Sequence, residues 1–297
     1  MTIKHDDGGR FMKRSTLWKR VISAVLSSTL LLGAAFATEH RADAAEVSGK
    51  IVIAGSTALL PLTQQAAKEF KKSHPKVKIV VSGSSSIAGP QSVTKGVATI
   101  GACDWDATKA VGGFPAYKGL KAYKIAKIPF AVIVNKDNPI SNLSVEQIQD
   151  IYEGKIKNWK QLGGKDEEIV VINRAKGSGT RVNFEDKIMD GHTIKTTGDN
   201  YKEVQKSGDM VNAVASNPNA IGFVDLAYVK GGIKAVSING VKATTANAAS
   251  GKYIFYGYGY LLTKGEAKGA DKAFIDYILS KKFQNGSLKK LKFIPVK

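Results

Sequence analysis

Cysteine is nearly absent from this chain: Cys103 stands alone among 297 residues. An intrachain disulfide is therefore impossible, and a cysteine-based zinc cluster is excluded. Histidine is scarce too, at four, and no Asp, His or Glu set falls at metal-ligand spacing. No histidine lies near Cys103 or Ser178 in the sequence, so neither reads as a base-assisted nucleophile. Thirty glycines occur without a three-residue period, which rules out a collagen-like chain. There is no internal repeat and no low-complexity linker. Hydrophobic residues at 43% and charged residues at 23% fit a folded soluble protein rather than a disordered chain or a polytopic membrane protein.

The longest apolar run is Val21–Ala37, 17 residues, at the short edge of what spans a bilayer. It follows a basic stretch with Arg10, Lys13, Arg14, Lys19 and Arg20, and precedes Ala42-Asp43-Ala44-Ala45. Basic start, apolar middle and small-residue end define a secretory signal peptide over residues 1–44, cut after Ala44 or, as the second choice, after Ala37. The alternative is an uncleaved N-terminal anchor. No cysteine follows the run, so a lipoprotein anchor there is excluded. The expected location is extracytoplasmic: periplasmic, cell-surface or secreted.

Acidic residues are the minority, 25 against 44 Lys and Arg. Residues 1–44 hold seven basic and four acidic residues, which leaves 37 against 21, or +16, for the remaining 253. The basicity thus belongs to the folded body and suits anionic partners. For an exported protein, small anions come ahead of nucleic acid.

The body alternates strand and helix. Lys50–Ala54, Val77–Val81 and Thr99–Ala102 read as strands, and Leu59–Ser73 and Pro90–Lys95 as helices between them. That order implies an α/β fold with a parallel sheet. Lys127–Val134 is apolar throughout, as a buried strand is. Ser144 opens a helix to Tyr152, Glu168–Ile172 is a strand, and a helix follows Thr180 to about Met189. Met210–Ser216 is helical, Ile221–Val224 and the aromatic Tyr253–Leu262 are strands, and Ala270–Ser280 is a closing helix. Two lobes follow, residues 45–129 with 255–297, and residues 130–254, with the two long apolar strands as a two-stranded hinge.

Four Gly- and Ser-rich loops follow strands: Gly55–Ala58, Gly83–Ser86, Gly101–Asp104 and Arg174–Arg181. Ligands of open α/β sheets bind beyond the carboxyl ends of the strands. Glycine admits close backbone approach, hydroxyls add donors, and Arg offers a planar, permanently charged fork suited to oxyanions. The plain alternatives are a turn and helix caps, with Thr180 as the N-cap of the last.

Taken in this order, the loops resemble those of the substrate-binding proteins of phosphate ABC transporters. The resemblance rests on Gly55-Ser56-Thr57, Ile100–Asp104, Asp150–Trp159 (DIYEGKIKNW) and Arg174–Thr180 (RAKGSGT), and it covers the chain beyond the export segment. It implies a two-lobed periplasmic-binding-protein clamshell, each lobe a mixed, mostly parallel sheet flanked by helices. It also implies a monomer that binds inorganic phosphate, without cofactor, metal or catalysis, and delivers it to a membrane permease. The implied phosphate ligands are Thr57, the amide of Ala58, Ser86, Asp104, Arg174, Ser178, the amide of Gly179, and Thr180. Ser86 is selected by its 18-position spacing from Asp104, with Ser84 and Ser85 as substitutes. Lys176 stands where some members carry an acid that orients the Arg.

Asp104 is the informative residue in such a set. A carboxylate accepts a hydrogen bond from protonated phosphate but meets only lone pairs on sulfate. The competing readings are an exported phosphatase and a binder of sulfate, molybdate or tungstate. Nucleic-acid binding ranks last. Cys103 and Trp159 read as core, His74 and His192 as surface, and Asp106 as a cap. Lys281, Lys282, Lys289 and Lys290 read as solvated faces or a dock for an acidic permease surface. Arg181 reads either as a source of positive field or as solvated.

Overall fold

The computed structural model describes residues 46–296; the export segment expected over 1–44 lies outside them. In chain order the elements are β1 (Gly49–Gly55), α1 (Leu60–Ser73), β2 (Val77–Val81), α2 (Ala88–Thr94) and β3 (Ile100–Cys103). Next come β4 (Leu120–Asn135), β5 (Asn142–Leu143), α3 (Val145–Tyr152), β6 (Val170–Arg174), α4 (Gly179–Phe184) and β7 (Tyr201–Val204). Then follow α5 (Ser207–Ala215), β8 (Ala220–Asp225), β9 (Ile233–Ala235), β10 (Ser237–Ile238) and α6 (Thr245–Ala249). The last are β11 (Tyr256–Lys264), α7 (Gly269–Leu279) and α8 (Lys281–Phe283). Among the described residues no helix is long and apolar enough to cross a membrane.

Local chemistry accounts for the helix boundaries. α1 has Pro61 in its first turn, where no intrahelical N–H is needed. Its buried stripe is Leu62, Thr63, Ala66, Ala67 and Phe70, and Lys71 and Lys72 meet the negative end of its dipole. α3 starts at a capping box: Ser144 accepts from the Gln147 amide, and the Gln147 side chain accepts from the Ser144 amide.

The strand order is β2-β1-β3-β11-β4-β8-β6-β7, with β9 also on β4, and a separate pair β10-β5. β1 runs parallel to β2 and β3, and β6 parallel to β7 and β8. The connecting strands are antiparallel: β11 to β3 and β4, and β4 to β8 and β9. The sheet is therefore mixed. The strands also form one hydrogen-bonded network rather than two separate sheets, because β4 is 16 residues long. Its Leu120–Pro129 portion pairs with β11, and Phe130–Val134 pairs with β8.

β4 begins seven residues earlier than its apolar run, in a portion where Lys121 and Lys124 are exposed and Tyr123 is half-buried. β11 begins at Tyr256 rather than Tyr253. Tyr253 and Phe255 are buried just ahead of it. Phe130, Tyr152, Phe184, Phe223 and Phe255 form one aromatic cluster, with Phe184 and Phe223 stacked at 4.1 Å.

Candidate functional site

β1, β3, β6 and β8 end at Gly55, Cys103, Arg174 and Asp225, and the segments that follow them meet. Ser56 Oγ donates to Asp104 Oδ1 at 2.5 Å, and the Asp104 amide donates to Ser86 Oγ at 3.2 Å. Ser86 is the buried serine of its loop, whereas Ser84 is exposed and Ser85 half-buried. Gly55 is needed where β1 turns: its φ is 132°, and a Cβ there would lie 2.1 Å from the Ala102 carbonyl oxygen. Asp104 is 2% exposed. Burial pushes its carboxyl up to about 6, against the pull of the Ser56 and Ser86 hydroxyls and the Arg174 charge.

Arg174 is 1% exposed. Its terminal nitrogens donate to Thr57 Oγ1 at 3.3 Å, to the Gln205 carbonyl at 2.9 Å and to Ser207 Oγ at 3.4 Å. The Ser207 amide, at the start of α5, donates to Thr57 Oγ1 at 3.1 Å, and the two hydroxyls lie 3.0 Å apart. Tyr228 donates its hydroxyl to the Thr57 carbonyl at 2.9 Å. Burial lowers the guanidinium's pKa from its ordinary value, and the negative charge of Asp104, the largest opposing influence, resists the shift. A buried, permanently charged fork surrounded by hydroxyls is costly to keep dry without an anion to meet it.

The loop after β6 closes on the loops after β2 and β3. The Ile87 amide donates to the Gly177 carbonyl at 3.1 Å. Asn183 Nδ2 ties the two sides together, donating to the carbonyls of Asp104 at 3.1 Å and Gly179 at 2.8 Å. A Cβ on Gly179 would lie 2.3 Å from Ser86 Oγ and 2.5 Å from Asp104 Oδ2. Gly179→Ala is therefore expected to hold the loops apart. Overpacking costs about 1–3 kcal/mol, so ligand affinity should fall by roughly 5–150-fold. Titration calorimetry of the variant measures this, and an unchanged affinity would show that the loops do not close on the ligand.

The residues expected from sequence are brought together. Thr57, Ala58, Ser86, Asp104, Arg174, Ser178, Gly179 and Thr180 are all buried. The N-cap of α4 is Ser178, not Thr180: Ser178 Oγ accepts from the Arg181 amide at 3.3 Å. Thr180 is already inside the helix. Arg181 is not free in solvent: its side chain is 16% exposed. It binds Glu185 at 2.7 Å, the Arg174 carbonyl at 2.9 Å and Glu203 at 3.3 Å, and so fixes the backbone that carries Arg174.

Ser56, Ser207, Asp225 and Tyr228 belong to the same cluster but were not among the expected ligands. Ser56 was legible as part of Gly55-Ser56-Thr57; the others carry no motif. Cys103 is a core residue whose thiol burial holds well above its usual pKa, and Trp159 is buried with its indole on the Asn219 carbonyl. Asp106 accepts from the Thr108 amide at 3.1 Å, a local cap. His192 is exposed, and His74 is half-buried, with its ring stacked on Phe70 at 4.0 Å. Among the described residues no group of three or more His, Cys, Asp or Glu is placed to hold a metal ion.

Residues 41–282 match the PBP superfamily domain, so the class is that of the α/β periplasmic binding proteins. The phosphate-binding protein PstS of Bacillus subtilis is 35% identical over 254 residues, 84% of this chain and 82% of the relative. A solved structure from Clostridium perfringens, assigned as a phosphate ABC transporter substrate-binding protein and holding phosphate, is 36% identical. It superposes with a TM-score of 0.77 over 84% of this chain and all of that one. An ABC-type phosphate transport receptor from Vibrio cholerae is 29% identical, with a TM-score of 0.65 over 82% of this chain and 99% of that one. The chain belongs to the PstS family of phosphate-binding proteins.

Proposed function

We propose that this protein is the extracytoplasmic receptor of a phosphate ABC transporter: it encloses inorganic phosphate and presents it to a membrane permease, without catalysis. One observation carries the reading. A single guanidinium, four hydroxyl-bearing residues and one carboxyl, each under 5% exposed, converge from loops far apart in sequence. Hydroxyls and the guanidinium donate to phosphate oxygens; Asp104 accepts from the phosphate's own proton.

The ligands are Thr57, the Ala58 amide, Ser86, Asp104, Arg174, Ser178, the Gly179 amide and Thr180. Lobe 1 comprises residues 45–129 and 255–297, lobe 2 residues 130–254, each a mixed, mostly parallel sheet flanked by helices. Thr57, Ser86 and Asp104 then come from one lobe and Arg174–Thr180 from the other. The pairing switch in β4 at Pro129–Phe130, beside the bond from the Phe130 amide to the Phe255 carbonyl at 3.0 Å, supports a two-stranded hinge there. The contacts of Thr57 with Arg174 and Ser207 correspond to the closed form, and hinge opening admits phosphate.

Calorimetric titration of the protein, stripped of phosphate by unfolding and refolding, tests the reading. One site with micromolar or tighter affinity for phosphate is expected at neutral pH, with sulfate at least about 100-fold weaker, a difference of about 2.7 kcal/mol. No phosphate binding would overturn it. Equal binding of sulfate would move the assignment to another oxyanion.

A further inference from the structure

The carboxyl of Asp225 is the buried group that neither the loops nor their resemblance explains. It ends β8 and stands at the N-cap of the turn Leu226–Tyr228, yet makes no capping hydrogen bond. It is 0% exposed, and neither oxygen has a hydrogen-bond partner. The Nε of Arg174 is likewise buried and unpartnered. Arg174 ends β6, the strand beside β8 in parallel register. No oxygen of Asp225 comes within ion-pair distance of it, so the two charges feel each other without a bond.

A carboxylate in such a place is expensive, and a group of this kind keeps its proton instead. The charged and titratable groups around it act accordingly. From the loop after β3, the Asp104 charge reinforces the effect of burial and pushes Asp225 well above its ordinary range. The nearby Ala227 amide, too poorly placed for a hydrogen bond, and the Arg174 charge from β6 oppose it. Tyr228, on the same turn, is itself held above its usual pKa by burial and by Asp225. Asp209 on α5 is exposed and acts on Arg174. Lys176 is exposed too, so Arg174 is the one buried cation among the described residues of the site.

The sum of charges decides what this means. With Asp225 neutral, Arg174 and Asp104 cancel and the site accepts an anion. With Asp225 ionised, the same walls carry a net negative charge. We propose that Asp225 is a positioning residue for phosphate: un-ionised in the closed site, it leaves the charge of Arg174 undivided for the anion, and ionised it draws that charge away. The inference rests on the phosphate-receptor reading above. The sign follows directly. A group with a raised pKa is neutral at low pH and charged at high pH, so affinity falls as pH rises.

The test is phosphate affinity of the wild type and of Asp225→Asn between pH 6.5 and 9. Phosphate's own ionisation is common to both and cancels in the ratio. The variant's advantage over the wild type should grow by about tenfold across that range, the effect of one partly screened charge. Parallel profiles would overturn the proposal while leaving the receptor reading intact; no phosphate binding by the wild type would overturn both. A second measurement needs no variant. At pH 8, Asp104 is ionised, so the infrared spectrum of phosphate-bound wild type should still show the carbonyl stretch of an un-ionised aspartic acid, shifted by carbon-13 labelling of aspartate. Its absence would overturn the proposal.

Discussion

Replacing Arg174 by methionine should cost this protein nearly all of its phosphate affinity. Among the described residues of the site the side chain is the one buried positive charge, and its terminal nitrogens donate to Thr57 and Ser207, the hydroxyls beside which an anion would sit. Removing one partner of a buried, hydrogen-bonded charge pair costs about 2–5 kcal/mol, or roughly 30-fold to several thousand-fold in Kd. Lysine should not rescue it, because a single ammonium cannot reproduce two nitrogens that reach Thr57, Gln205 and Ser207 at once. The readout is thermal stabilisation by phosphate. A ligand at 100 times its Kd adds about 2.7 kcal/mol to the stability of the wild type, and the same concentration should add less than about 0.9 kcal/mol to that of the methionine variant. A variant that keeps its phosphate-induced shift would remove Arg174 from the ligand set.

How much of this was legible in the sequence depends on how local each signal is. Arg174, Ser178, Gly179 and Thr180 lie within seven positions, and the chemistry of that loop is readable because glycine, hydroxyl and guanidinium stand together. Their partners are not adjacent. Ser207 meets Thr57 across 150 positions and Tyr228 meets it across 171, and neither sits in a pattern that one chain can single out. Asp225 looks like the end of an apolar strand, AIGFVD, and only its burial without a partner marks it. The same reasoning explains the elements. β1 and β2 carry β-branched runs and β3 a short apolar one, and all three were read within a residue or so. β7, with the sequence YKEV, is polar because it lies at the sheet's edge and is half-exposed. The first half of β4 hides behind lysines whose ammonium groups sit over aromatic rings, Lys124 Nζ 4.5 Å from the Tyr258 ring centre and Lys127 Nζ 3.6 Å from that of Tyr256. Hydrophobic periodicity weakens wherever long charged side chains do the covering.

Asp104→Asn is expected to invert the anion preference rather than abolish binding. In the wild type the carboxylate takes the Ser56 hydroxyl at 2.5 Å on one oxygen, which leaves acceptor capacity for a protonated phosphate. A hydrogen bond to a charged group contributes about 1.5–3 kcal/mol, so losing it should weaken phosphate by roughly 10–150-fold. Sulfate brings no proton, and against it the wild-type carboxylate is a like charge in a dry site, costing several kcal/mol. Asparagine removes that repulsion and offers an N–H in its place, so sulfate should gain at least about tenfold. The pH dependence follows from a carboxyl pushed up to about 6. Above pH 6 the group is ionised and sulfate is excluded; as pH falls through 6 it gains a proton and the exclusion fades. The same shift acts on the ligand-free fold. A pKa raised from 3.8 to about 6 means that the ionised form opposes folding, by about 3 kcal/mol at pH 7. That opposition is relieved as pH drops from 6 toward 4. The ligand-free Asn variant should therefore be more stable than the wild type at pH 7, and the two should converge near pH 4. Competition titrations with phosphate and sulfate at pH 5 and pH 8, together with thermal melts, measure all of this. If the variant still prefers phosphate as strongly as the wild type at pH 8, selectivity does not come from Asp104.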